Sequence, residues 1–271
     1  MKSLSNIRRQ SGISLLSLLI ASAIGFFIIG GAGKVYVDSK NTFNARSAIA
    51  AATENYRFAF RDMRWVLVLA GRGILPENDG DLVYATTDNG LRTFPEIGTD
   101  GIQDIDANGS SVIAVRYAKG PAPCGLAGTL DGGPANTITV RFYLNTDGDL
   151  ICEVPEHNYA QPLVSGITRM RALYGIDTDS DSLANQYLTA TAVDDEALWV
   201  NVVAIRIGIV AGSGEGQELP EIYRPSTAEP MDVMGATFTP TETSRAYKSS
   251  STTITFRNLK NGIAGQRQQA D

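Results

Sequence analysis

The chain has 271 residues, 43% of them hydrophobic and 19% charged, with a net charge of −6. That length allows one domain or two, and the acidic balance offers no electrostatic footprint for a phosphate backbone, which argues against nucleic acid as the main ligand. With two cysteines and a single histidine, His157, the sequence holds no CxxC pair and no Cys/His cluster, so neither a zinc site nor a Ser-His-Asp arrangement is supported.

The first element in chain order is Ile13 to Gly33, 21 residues without a charge. About 20 apolar residues suffice for a helix to cross a bilayer. Lys2, Arg8 and Arg9 precede the run and Lys34 follows it, which favours a cytoplasmic N-terminus. Ser14, Ser17, Ser22 and several glycines interrupt it. Small residues of this kind suit a helix that packs against other helices. Three readings fit the segment. One is a plain single-pass anchor. The second is a secretory signal cut after Ala21-Ser22-Ala23, although the apolar run continues beyond that point. The third places a cut before the run, between Gly12 and Ile13.

From Lys34 to Ala70 there is no proline or glycine. Apolar or small residues recur at Ile49, Thr53, Tyr56, Phe60, Met63, Leu67 and Ala70, spaced alternately four and three, which is one stripe on a helix. Ala52, Ala59 and Val66 widen it. Gly71 and Gly73 are the expected stop. The spacing predicts one helix of about 58 residues from Ile13, about 87 Å long at 1.5 Å per residue. Its first half is apolar all round and its second half amphipathic. Glu54, Arg57, Arg61, Asp62 and Arg64 read as a solvated face with local ion pairs.

The remainder reads as β-rich. Expected strands are Leu82–Thr86, Ser111–Ala118, Thr137–Leu144, Leu150–Val154, Ile167–Tyr174, Trp199–Val210 and Thr252–Arg257. Ile138, Val140, Phe142 and Leu144 alternate as a half-buried strand does. Asp147-Gly148 then predicts a hairpin that puts Cys152 on the return strand. Gly212–Ser251, with Pro220, Pro225, Pro230 and Pro240 and a serine run, reads as a long surface loop or a disordered one. The polar tail Gly262–Asp271 is expected to fray. Cys124 and Cys152, an even count in a chain routed across a membrane, read as one disulfide rather than two buried thiols.

Asp177, Asp179 and Asp181 put three carboxylates on alternate residues of a loop, a pattern suited to calcium, with Asn185 as a fourth ligand directly or through water. The EF-hand pattern is only partly met: Ser182 stands at the sixth place and Leu188 at the twelfth. The competing reading is a solvated acidic turn. Asn145, Asp147 and Asp149 form a second acidic turn that the hairpin explains better. No glycine-rich loop supports nucleotide binding.

The basic leader, Gly12 and Ile13-Ser14-Leu15-Leu16 resemble a type IV prepilin. Glu54-Asn55-Tyr56-Arg57-Phe58-Ala59, Arg61-Asp62-Met63-Arg64 and Ala70-Gly71 resemble the spine ending of PilW-type minor pilins. So does the block from Leu163 to Gly212, and Thr253-Ile254-Thr255-Phe256-Arg257-Asn258 completes the likeness. The resemblance implies an α+β, pilin-like fold: a long N-terminal helical spine with an antiparallel β-sheet C-terminal domain. It implies a leader at 1–12, a transmembrane and assembly half at 13–33, an amphipathic half at 34–73 and a periplasmic domain at 74–271. A prepilin peptidase would cut after Gly12 and methylate Ile13. If so, Lys2, Arg8 and Arg9 leave with the leader, and 20 basic against 29 acidic residues remain, a net of −9.

The implied function is a minor pilin that primes type IV pilus assembly, in the tip complex, without enzymatic activity. Its partners would be other minor pilins, the major pilin and a tip adhesin, with roles in adhesion and twitching motility. It would sit in the inner membrane with its C-terminal domain in the periplasm, then at the pilus tip. The family has a glutamate as the fifth mature residue; Ser17 stands there. A pseudopilin of type II secretion and a membrane-anchored, calcium-dependent surface-binding module remain the alternatives.

Overall fold

The computed structural model describes residues 15–73, 94, 109–131, 137–214 and 216–259. The leader, Gly12, Ile13, the expected strand at 82–86 and the tail at 262–271 lie outside them. Helix α1 spans Leu15–Leu67, and the chain divides into two compact units, Met1–Asn44 and Ala45–Asp271. The expected fold class holds: a long N-terminal helix is followed by antiparallel sheets.

Within the second unit, Ala59, Met63, Val66 and Leu67 of α1 join a single core with both main sheets. The expected stripe is turned at its N-terminal end. Ile49 is 43% exposed, whereas Ala48 and Ala52 are fully buried. Fully buried positions are alanines up to Ala59, with Tyr56 and Phe60 packing partly buried beside them, and large side chains are fully buried from Met63 onward. Two turns follow the helix, with Gly71 at φ 76 and Gly73 at φ 80. A Cβ on Gly73 would lie 2.5 Å from Lys119 Cβ and 2.9 Å from its amide nitrogen. Glycine is therefore required both by the left-handed backbone and by the close approach.

The first sheet has the order β1 (Ile113–Tyr117), β4 (Ile138–Leu144), β5 (Leu150–Val154), β6 (Tyr159–Val164). The predicted hairpin joins β4 to β5, with Leu144 opposite Leu150 and Phe142 opposite Cys152. Asn145 Oδ1 accepts from the amides of Asp147 and Asp149, and Gly148 supplies the left-handed turn. These bonds account for the second acidic turn. Tyr117, fully buried, donates to Pro121 O at 2.9 Å, and burial pushes its phenol well above the ordinary range.

The second sheet has the order β12 (Tyr247–Thr255), β9 (Val202–Gly212), β7 (Ile167–Ile176), β8 (Gln186–Leu188). Strand β9 is buried almost throughout. Its Ile205, Ile207 and Ile209 face the common core. Gly208 lies under a short hairpin, β10 (Met231–Val233) with β11 (Ala236–Phe238), where a Cβ would come within 3.0 Å of Val233 Cγ1. Two serines weld the sheets together. Ser110 Oγ accepts from Met170 N, Ser111 Oγ accepts from Ala172 N, and Ser111 N donates to Met170 O. This covers the half of the β7 edge that β8 does not reach. A final small pair joins β2 (Lys119–Pro121) to β3 (Thr129–Asp131).

The reading of Gly212–Ser251 as loop is corrected at two places: it contains the β10–β11 hairpin, and β12 begins at Tyr247, so the serine run is strand. The edge position explains this. Serine and threonine satisfy a half-exposed ladder without any apolar alternation to announce it. Strand β9 starts at Val202 rather than at residue 199, because Trp199–Asn201 form a 3₁₀ turn. Strands β2, β3, β6 and β8 and the short helix α2 (Ala190–Asp195) carried no sequence signal strong enough to predict. Helix α2 is capped by Thr189, whose Oγ1 accepts from Ala192 N.

Candidate functional site

Two features carry candidate function, and each lies within one unit. The first is the apolar part of α1. It is the one helix, among the described residues, long and apolar enough to cross a membrane. Its large side chains are bare: Leu15 is 75% exposed and Phe27 87%. The hydroxyl of Ser22 donates to Leu19 O at 3.0 Å. A serine so bonded within its own helix can be carried through hydrocarbon at modest cost. A bare apolar surface of this length is stable only in lipid or against other helices. Such a helix suits a single-pass membrane anchor. Ser17 sits on it, exposed, in the first described turn. No acidic side chain occupies that turn. Gly25, Gly30, Gly31 and Gly33 have no atom within 4 Å of an added Cβ. Spread around the helix, they are places where a neighbouring helix can approach closely.

The second feature is the loop from β7 to β8. It gathers Asp177, Asp179 and Asp181 so that one carboxylate oxygen of each lies within 4.8 Å of the others. Asp177 is buried and the other two are exposed. The backbone folds around Asp177: its Oδ1 accepts from Ser180 N at 2.6 Å and its Oδ2 from Ser182 N at 2.7 Å. Ser182 takes φ 68, the left-handed conformation that glycine supplies at the sixth place of an EF-hand loop. Asn185 closes the loop, its Oδ1 accepting from Thr178 N at 2.8 Å. Amides thus satisfy one lone pair on each oxygen of Asp177, and each carboxylate oxygen keeps another for a cation.

The predicted pairing of the cysteines is present: Cys124 and Cys152 form a disulfide, with Cα atoms 5.6 Å apart. It ties a turn to the buried face of β5. In the loop-entropy account a closure of this length stabilises by about 3–4 kcal/mol. His157 lies exposed at the end of a 3₁₀ turn.

Two residues missed as individuals anchor α1 to the sheets. Asn55 Nδ2 donates to Gly212 O at 3.1 Å. Asn258 Nδ2 donates to both Val68 O and Ala70 O, each at 3.0 Å. Both asparagines fall inside the blocks that carry the family resemblance. The signal was there as sequence, but its partners are 157 to 190 residues away along the chain.

Residues 141–258 match the family model described as Type IV pilus-assembly protein W. The matched region runs from β4 to Asn258 and includes all of the second sheet. Among solved structures, a type IV-like pilin from Thermus thermophilus aligns with 58% of this chain and 82% of its own, at 11% identity and a TM-score of 0.34. No curated protein sequence matches. Residues 141–258 are thus similar to a pilus-assembly family, and the long apolar N-terminal helix suits a single-pass membrane anchor.

Proposed function

We propose that the chain is a minor pilin that takes part in priming type IV pilus assembly, in the initiation complex at the pilus tip, and that it has no enzymatic role. The observation that carries this reading is the bare apolar length of α1 on a protein whose residues 141–258 match a pilus-assembly family. Extraction from the bilayer is favourable only if neighbouring helices replace lipid around Leu15 to Gly33. Other minor pilins and the major pilin are the natural partners. The prepilin peptidase would expose the amino group of Ile13. Ser17 then matters. A glutamate at that position would bury a charge that needs a partner in low dielectric. A subunit without it makes no such pair with the subunit before it, which suits the first position in a fibre.

The test is the mass of the mature N-terminus in membranes of cells that carry a prepilin peptidase. The expected chain begins at N-methylated Ile13. A chain beginning at Ile24, or an intact Met1, would overturn the reading. In such cells the unaltered protein should be confined to the pilus tip, and Ser17→Glu should allow it into the shaft.

A second reading rests on the converging carboxylates of Asp177, Asp179 and Asp181. As a calcium-dependent binding module, the protein would hold the ion with these three groups and Asn185. Millimolar calcium should then raise its thermal midpoint by several degrees, and Asp179→Asn with Asp181→Asn should remove that response. An equal midpoint in calcium and in chelator would remove the reading. Type II secretion remains a structural alternative, separated by which helices the chain co-assembles with.

A further inference from the structure

Strand β12 is the end strand of its sheet, and its pairing fixes which way each peptide group points. Its register with β9 is unbroken from Tyr247 opposite Gly212 to Thr255 opposite Ala204. Beyond the two ends, Phe256 N donates to Val203 O, and Ala246 O accepts from Ser213 N. The even-numbered residues therefore direct their amides and carbonyls at β9. In an antiparallel ladder the alternate residues turn theirs the other way. Tyr247, Ser249, Ser251, Thr253 and Thr255 thus present a row of N–H and C=O groups to the open side. Among the described residues no backbone group bonds to that row. Four of the five side chains are exposed and Tyr247 is half-buried.

Among the described residues, the other edges of the two four-stranded sheets are blunted by devices that proteins use against unwanted pairing. Strand β8 has only three residues. Strand β6 carries Pro162 and a register shift. The segment 71–73 bonds to β1, and Ser110 and Ser111 cover the free half of β7. Strand β12 has nine residues, no proline and no bulge. Its single charge, Lys248, lies at one end.

We propose that this edge binds an extended, neutral or acidic segment of another protein, added as a further strand. Charge decides against a second copy. Lys248 and Arg257 lie in or beside the strand and residues 245–257 contain no acid, while Arg245, next to its start, is paired with Glu242 at 3.0 Å. Two copies paired about Ser251 would bring together two segments whose remaining charges, Lys248 and Arg257, are all positive, and like charges brought close repel. An incoming strand with glutamate at its ends meets the same residues favourably. Main-chain bonds supply the affinity in this mode of recognition, and end charges the selection. The inference rests on the register of β12 and is independent of the pilus reading.

The test uses the full chain in detergent micelles and the acetylated, amidated peptide Glu-Thr-Val-Thr-Val-Thr-Val-Thr-Glu. In the free protein the amides of Ser249, Ser251 and Thr253 should exchange with solvent at least about tenfold faster than those of Ser250 and Thr252. Peptide at saturation should slow the odd set by about tenfold and leave the even set unchanged. Ser251→Pro removes only an outward N–H, so the β9 ladder survives, and it should weaken peptide binding about tenfold or more. Lys248→Glu with Arg257→Glu should weaken it several-fold. Odd amides that do not respond to the peptide would overturn the proposal, with or without a folded Ser251→Pro variant. Odd amides already protected in a way that grows with protein concentration would also overturn it, in favour of self-pairing.

Discussion

Replacing Phe256 by alanine will destabilise the globular unit by about 3–5 kcal/mol. Phe256 is fully buried at the end of β12, with its ring edge-on to Phe94 at 5.4 Å. Phe94 in turn stacks on Trp199 at 5.2 Å and meets Tyr174 edge-on at 5.8 Å. Truncation loses the transfer free energy of a ring and leaves a cavity where four aromatic side chains meet. Those neighbours are large and held by one another, so little collapse will relieve the cost. Urea unfolding followed by fluorescence is the direct measurement. The midpoint should fall with an unchanged slope, and a loss below about 1 kcal/mol would mean that Phe256 lies outside the core. A conservative Phe256→Leu should recover most of the loss, because the site needs volume more than it needs a ring.

Asn258 should show the second large effect. Its side-chain amide donates to the carbonyls of Val68 and Ala70, where α1 ends. Both carbonyls lie in the turns just past Leu67, the last residue of α1. A buried carbonyl left unsatisfied costs about 1–3 kcal/mol, so Asn258→Ala should lose about 2–4 kcal/mol. Asn258→Asp keeps the shape but aims a carboxylate at two carbonyls, and should lose more than alanine does. If aspartate is the milder change, the two bonds are not what Asn258 contributes.

The sequence determined the elements whose signals are local. The uncharged run from Ile13 to Gly33, the helical spacing down to Leu67, the stop at Gly71 and Gly73, and the Asp147-Gly148 hairpin can each be read within a window of a few turns. The structure agrees with the helix, its stop and the hairpin, although α1 ends at Leu67, three residues before the expected Ala70, and its buried stripe is turned at Ile49. The acidic triplet was equally legible, since Asp177, Asp179 and Asp181 are alternate residues of one loop. Tertiary structure decided what depends on distant partners. Only the fold shows that Ala48 rather than Ile49 faces inward, because the packed surface selects a helix face by fit and not by hydropathy alone. Only the β9 ladder turns Ser249–Ser251 into strand, since serine has no periodic apolar signal and the bonds come from residues about 40 positions earlier. Asn55 and Asn258 look like ordinary polar residues in one dimension. They become anchors of the spine because the carbonyls they satisfy are brought to them by the closing of the sheet on the helix.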